Sequence, residues 1–343
     1  MSGDSDTGGA LSADEFDYDL PDDLIAQVPI EPRSAARLMV DRGSEGPLHS
    51  TMASFPEHIR QGDLIVVNDT RVLPARLLLT RSSGGRVEVL LLELVEGDRW
   101  RALARPGRRL HAGDVLSRPD GQAVVTVLGR DPDDDGVFMI ELSVGAEDLD
   151  EVGEMPLPPY ITAPLRDAER YQTVYSRRAA SAAAPTAGLH FTQELMSEVE
   201  SRGARIERVE LVVGLDTFRP LAVDDVRDHR MHSEQYHVPP SVMDAVGDAE
   251  RVIAIGTTAT RALETAGCTG RLAGRTDIFI RRGHRWSTVD LMLTNFHLPR
   301  TTLLVMIDAF IGSRWRSLYQ EAITERYRML SFGDAMLLDR RAQ

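Results

Sequence analysis

Five short polar stretches carry most of the residues in this sequence that could do chemistry, each where an apolar run ends or a Gly/Pro-rich turn begins. Asn68-Asp69-Thr70-Arg71 sets a carboxylate beside a guanidinium, suited to a polar substrate or to a turn with a structural ion pair. In Ala184–Phe191 (APTAGLHF), Thr186 and His190 supply a hydroxyl and an imidazole, and Gly188 lets a ligand approach the backbone; the same pattern suits a tightly packed loop with a core histidine. His229, His232 and Glu234 in HRMHSE suit an acid–base pair or a solvated turn, and their spacing matches no helical His-Glu zinc motif, so no metal is expected. Gly256-Thr257-Thr258-Ala-Thr-Arg261 places two hydroxyls and free N–H groups at a helix start, suited to a phosphate or a carboxylate. Thr294-Asn295-Phe296-His297 offers an amide and an imidazole for base or ribose contacts, with Phe296 directed to the core.

Strands and helices must hold these stretches. Leu64–Asn68 (LIVVN) is a continuous apolar run after Gly62-Asp63 and predicts a buried strand. Between Arg71 and Gly153, four strand-like runs (RVEVLLLEL, RWRALAR, AVVTVLG, VFMIELSV) separated by Gly, Pro and Asp turns predict a small antiparallel barrel or sandwich. After Met155–Tyr160, whose prolines stiffen the return and whose Tyr160 could stack on a planar ring, strands alternate with helices. Expected there are a helix capped by Thr192 and stopped at Gly203, strands Ile206–Val213, Val252–Gly256, Asp277–Ile280, Val289–Thr294 and Leu303–Ile307, and a helix near Arg316–Arg328. Pro21 marks a further helix start. The fold expected is a mixed α/β main domain, residues 14–70 and 154–343, interrupted by a small all-β barrel-like domain at 71–153, after a disordered tail at 1–13.

Composition removes whole classes of chemistry. The chain has 343 residues, and all 39 basic ones are arginine. Without lysine there is no pyridoxal Schiff base, lysine aldolase, Walker-A loop or protein kinase. Cys268 is the single cysteine, so internal disulfides, cysteine-rich zinc sites and cysteine-ligated iron–sulfur clusters are out; it is expected to be inert. Net charge is −14, but residues 1–32 hold nine acids and 131–165 hold ten, with no arginine in either. The remainder has 34 acids against 39 arginines, a balance of +5 that permits an arginine-built phosphate surface. No run reaches the ~18 apolar residues of a membrane span, and the N-terminus has neither signal nor transit character, so a cytoplasmic location is expected.

Taken in order, NDTRVLPARL, GGRVEVLLL, MPLPPYI, ERYQTVYS, AAPTAGLHFT, MHSE, GTTATRALE, TDIFI, TNFHLP and SFGDAM make Phe16–Leu338 resemble the S-adenosylmethionine:tRNA ribosyltransferase-isomerases of queuosine biosynthesis. The resemblance implies an α/β domain interrupted by a β-barrel. It also implies transfer of the ribosyl part of S-adenosylmethionine to the 7-aminomethyl-7-deazaguanine base of a tRNA, giving epoxyqueuosine, adenine and methionine. On that basis the sulfonium acidifies the ribose 5′ protons, and His190, His232 and Glu234 are the candidate bases, with Thr186 beside them. Asn295, Phe296 and His297 would receive the adenine; Thr257, Thr258 and Arg261 the methionine carboxylate; and Asp69, next to Arg71, its ammonium. A His190→Ala change would cost at least about a hundredfold in turnover if His190 exchanges the proton.

Three positions depart from the family pattern: Val212 stands where a histidine is usual, Asp216 where a glycine is, and Asp308 where a small serine-like residue is. Arg281, Arg282 and Arg285, in another variant segment, are the candidate tRNA contacts. Two other functions fit these departures, a paralogue using S-adenosylmethionine with a different acceptor and a non-catalytic descendant that binds tRNA or the cofactor. A monomer is expected.

Overall fold

A computed structural model describes residues 11–132, 134, 136–214 and 220–342. The tail expected over 1–13 falls largely outside these, but its end is attached. Ser12 bridges Asp225, its hydroxyl accepts the Asp14 N–H, and its own N–H donates to Glu15 Oε1, a capping box that starts the turn Ala13–Phe16. The helix expected at Pro21 is one 3-10 turn, Asp22–Leu24. A single turn repays little of the cost of nucleation, and Pro29 turns the chain away from helix soon after.

Strands β1 (Arg37–Val40) and β2 (Leu48–Thr51) precede β3 (Asp63–Asn68), the LIVVN strand, buried at all six positions. The short β4 (Thr70–Val72) leads into β5 (Arg76–Arg81), β6 (Arg86–Glu96), β7 (Arg99–Arg105), β8 (Val115–Ser117), β9 (Ala123–Arg130) and β10 (Phe138–Leu142). These six close into an antiparallel barrel in the order β10-β7-β6-β5-β8-β9, with Leu77, Val89, Trp100 and Ile140 in its own core. The chain leaves through α1 (Leu149–Val152). Arg76 and Glu154 exchange both backbone hydrogen bonds, 3.1 and 2.8 Å, so the block opens and closes at one neck. Gly153 sits there because a Cβ would collide with the Pro74 carbonyl.

Then follow β11 (Arg178–Ser181), α2 (Gln193–Ser201), β12 (Arg205–Leu211), β13 (Glu234–His237), α3 (Pro240–Asp248), β14 (Arg251–Ile255) and α4 (Gly256–Thr269). The chain ends with β15 (Ala273–Thr276), β16 (Leu291–Asn295), α5 (Thr302–Ile311), α6 (Arg314–Thr324) and β17 (Ala335–Asp339). Nine strands form the main sheet, in the order β15-β13-β12-β3-β14-β16-β17-β1-β2. Its central run β12-β3-β14-β16 is parallel. Apolar clusters cover both faces, one around Phe296, Leu304 and Trp315 and the other around Phe55, Phe191 and Leu293. The fold is thus mixed α/β with a closed β-barrel between β4 and α1.

Two expected strands are corrected. Leu303–Ile307 lies in helix α5, capped by the Thr301 hydroxyl at one end and Gly312 (φ +64) at the other. Seven of its ten residues are buried, so the run is apolar nearly all round and its sequence shows no helical stripe. Asp277–Ile280 is irregular, and the strand is β15, just before it. The Ile278 N–H is taken by the Thr276 hydroxyl at 3.2 Å, which turns the chain off the ladder.

Candidate active site

The parallel strands end on one side of the sheet, and a cavity opens there, where open α/β sheets bind ligands. Its walls come from the ends of β14 (Gly256–Thr258) and β16 (Thr294–Leu298), from Ala184–Ala187, and from Tyr160 and Ser331. Gly256 begins α4 at φ +89, and no side chain caps this 14-residue helix. Its first N–H groups therefore retain their partial positive charge at the cavity wall. The Thr258 hydroxyl, also in this wall, is buried and has no hydrogen-bond partner among the described residues.

Asn295 fastens the far wall. Its Oδ1 accepts the Thr186 hydroxyl at 3.1 Å, and its Nδ2 lies 3.2 Å from the Leu330 carbonyl and 3.2 Å from His190 Nε2. The Asn295 amide is thus engaged with protein atoms and holds Thr186 in place. His190 lies behind it in a separate small cleft with Arg33 and Phe332. Burial, with Arg33 and Arg328 nearby, lowers its pKa to about 4, so it is neutral. His297 does line the cavity, with Nε2 2.9 Å from the Thr294 hydroxyl, and burial lowers its pKa to about 3. Phe296 is core, edge-on to Tyr319 and Tyr327.

Leu303 is shared with a second, wider cleft that lies between the barrel and the sheet. Leu92, Glu93, Arg101 and Val137 face it from the barrel, and His229, His232, Glu234 and Arg261 from the sheet side. Glu93 ties the two halves together, accepting Gln235 Nε2 and Arg275 Nη1, both at 2.6 Å. Glu234 pairs with Arg261 Nη1 and accepts the Gly214 N–H at 3.2 Å. Burial pulls the Arg261 guanidinium down to about 10, and its Nε and Nη2 are buried without a partner among the described residues. These two nitrogens form the edge of a guanidinium that takes a carboxylate bidentately.

Other singled-out residues lie elsewhere. Asp69 lines neither cavity; burial, reinforced by Glu210, raises its pKa against Arg177 and Arg208. Its neighbours explain the motif: Asn68 bonds both backbone groups of Leu211, at 2.9 and 3.2 Å. Thr70 bonds Ser181, which takes the Val213 N–H at 3.1 Å and so sets the cavity wall from behind. Arg71 is paired with Glu169 on the outer face. Gly188 serves packing, since a Cβ would strike the Tyr175 hydroxyl. Arg282 is engaged by Asp308, at 2.6 and 3.0 Å, and by Glu15, whereas no ion pair joins Arg281 or Arg285 among the described residues. The variant residue Asp308 is thereby accounted for, as partner to an arginine in the variant segment. Val212 lines the second cleft; Asp216 lies outside the described residues.

Among the described residues, Glu264, Cys268 and His284 bring three metal-type ligands together. Burial would raise the Glu264 pKa, but hydrogen bonds from His284, Ser287, Val289 and Thr288 hold it near 2, so both its oxygens are engaged. Sequence reasoning missed Ser331, 2.6 Å from the Tyr160 hydroxyl, as well as Leu303 and the barrel residues Glu93 and Arg101. The serine of SFGDAM was visible as a motif, but its place in the cavity depends on a chain return more than 170 residues from Tyr160.

A family model described as "Queuosine biosynthesis protein" matches residues 13–338. The chain is 48% identical over 338 residues to the S-adenosylmethionine:tRNA ribosyltransferase-isomerase of Symbiobacterium thermophilum, covering 94% of this chain and 98% of that protein. It is 48% identical over 333 residues to that of Rubrobacter xylanophilus, covering 96% and 98%. The crystal structure of the S-adenosylmethionine tRNA ribosyltransferase of Thermotoga maritima matches with a TM-score of 0.54 at 34% identity, covering 94% of this chain and 99% of that one. With the interrupted α/β fold and the paired cavities at its strand ends, these likenesses establish that the chain belongs to the queuosine biosynthesis protein family.

Proposed function

We propose that this protein is an S-adenosylmethionine:tRNA ribosyltransferase-isomerase that moves the ribosyl group of S-adenosylmethionine onto 7-aminomethyl-7-deazaguanine in tRNA, forming epoxyqueuosine and releasing adenine and methionine. The observation that carries this is the pair of adjoining cavities, one at the end of the parallel sheet and one between sheet and barrel, separated by Leu303. S-adenosylmethionine enters as substrate. The orphaned Thr258 hydroxyl and the uncapped start of α4 suit its polar groups, and the free edge of Arg261 suits its carboxylate. The deazaguanine would come from the barrel side, where His232 and Glu234 remain the candidate bases. His190 becomes a positioning residue, acting through Asn295 on Thr186. Residues 71–153 would form the inserted unit and 14–70 with 154–343 the catalytic one, working as a cytoplasmic monomer without a metal.

Val212 in the second cleft favours one other reading, an enzyme with the same donor and a different acceptor. The test is to incubate the protein with S-adenosylmethionine and tRNA bearing the deazaguanine precursor, then weigh the nucleosides and count free adenine. A mass gain on the precursor with equimolar adenine is expected. Adenine or methionine released with no nucleoside adduct would move the assignment to the other acceptor, and tRNA retention without breakdown of S-adenosylmethionine would make the protein a binder only.

A further inference from the structure

The arginines named from sequence as RNA contacts include one, Arg282, that is committed to carboxylates. The barrel carries a different cluster. Its β5–β6 turn and the loop after β7 meet around Arg81, Arg108, Arg109 and His111, which line one concave surface with Ser82 and Ser83. Arg81 is fixed in place: its side chain packs over Gly85, leaving no room for a Cβ there, and its Nη1 donates to the Arg109 carbonyl at 3.3 Å. Its Nε is buried with no partner among the described residues. The one acid among the described residues of this surface, Asp114, is turned to the His111 backbone N–H at 2.9 Å. Among the described residues, Arg81, Arg108 and Arg109 have no carboxylate partner, in a chain where acids outnumber arginines 53 to 39. Arginines left unpaired amid such an excess of acid are suited to an external anion.

The position of the cluster indicates which anion. Strand β6 reaches the second cleft at Glu93 and the β5–β6 turn at Arg86, seven residues away. At about 3.3 Å per residue this is a span of about 23 Å. A polynucleotide whose target base occupies the cleft has several phosphates within that span. We propose that the Arg81–Arg108–Arg109 surface is a phosphate-backbone site for tRNA, which docks along the barrel while its modified base enters the cleft. This rests on tRNA being the second substrate.

The experiment compares wild type, R81Q/R108Q/R109Q, and the control R202Q/R205Q/R341Q, which removes equal charge from other surfaces. Each is titrated with precursor tRNA from low to moderate salt and assayed for turnover. The barrel variant is expected to bind tRNA at least tenfold more weakly near 0.1 M salt, and its log–log salt slope to fall by about 2 to 3 for three lost phosphate contacts. Its kcat at saturating tRNA and its KM for S-adenosylmethionine should match wild type, and the control should bind tRNA like wild type. Unchanged affinity and slope, or an equal loss in the control, would overturn the proposal. The titration reads this surface whether or not nucleoside adduct forms, so a wild type that binds tRNA without turnover bears on the proposed reaction alone.

Discussion

At the scale of single residues, the site is marked by polar atoms that the fold leaves without partners. Thr258 and Arg261 both keep buried donors unsatisfied, which costs stability unless a ligand or water completes them. Replacing Thr258 by Val should therefore leave the melting temperature unchanged or slightly higher, while KM for S-adenosylmethionine rises about five- to tenfold, roughly one hydrogen bond. Melting curves and steady-state kinetics check both halves. The buried histidines give a pH prediction. His190 and His297 titrate near 4 and 3 when folded, against ~6.5 in the unfolded chain. Below pH 6.5 the unfolded chain takes up protons that the folded one resists. The stability these residues confer is thus intact above pH 6.5 and is lost as pH falls, by about 1.4 kcal/mol per pH unit for each, down to about 4 for His190 and about 3 for His297. Denaturant titrations between pH 7 and 4 should show the decline, and a shallower one for His190→Gln. If His190 only positions Asn295, that variant lowers kcat without moving the pH–rate profile.

At the scale of elements, the start of α4 and the ends of β14 and β16 make the cavity, and α5 with α6 backs it. The variant segment after β15 is tied to this layer by Arg282 and Asp308, whose carboxylate also accepts Trp315 Nε1 at 2.9 Å. Asp308 is fully buried, while Arg282 is about half exposed. Removing the arginine strands the buried carboxylate, so Arg282→Gln should destabilise the fold by about 2 kcal/mol, below the 3–5 of fully buried pairs because solvent reaches the guanidinium. Adding Asp308→Ser, which removes the stranded carboxylate, should recover part of the loss. A double-mutant cycle by thermal melting measures it, and additive losses would mean that the pair is not coupled.

At the scale of the whole molecule, the barrel and the sheet have separate cores, and polar contacts beside the second cleft join them. Glu93 is the centre of that contact, taking Gln235, Arg275 and, at 3.7 Å, Arg101. Glu93→Ala should leave both cores folded and loosen their docking. Amide exchange is expected to quicken in β13 and β15, whereas KM for tRNA rises at least threefold and binding of S-adenosylmethionine is unchanged. Unaltered exchange in those strands would show that the docking does not depend on Glu93.

The sequence alone determined what is local. The apolar run of β3, the Thr192 cap of α2, the strand-to-helix break at Gly256 and the barrel strands were legible because backbone hydrogen bonding and side-chain periodicity repeat over a few residues. It also showed which polar motifs end those elements. It misassigned α5, where burial on nearly all sides erases the periodicity, and β15, where one threonine hydroxyl ends the ladder early. Only the tertiary structure decided which motifs share a site. Sheet order brings Thr186, Thr258 and Ser331 to one cavity and joins Glu234 to Arg261 across 27 residues. It puts His190 behind Asn295 and leaves Asp69 and Arg71 outside both cavities. Such contacts follow from how distant strands pair and which faces they bury, and no window of local sequence encodes them.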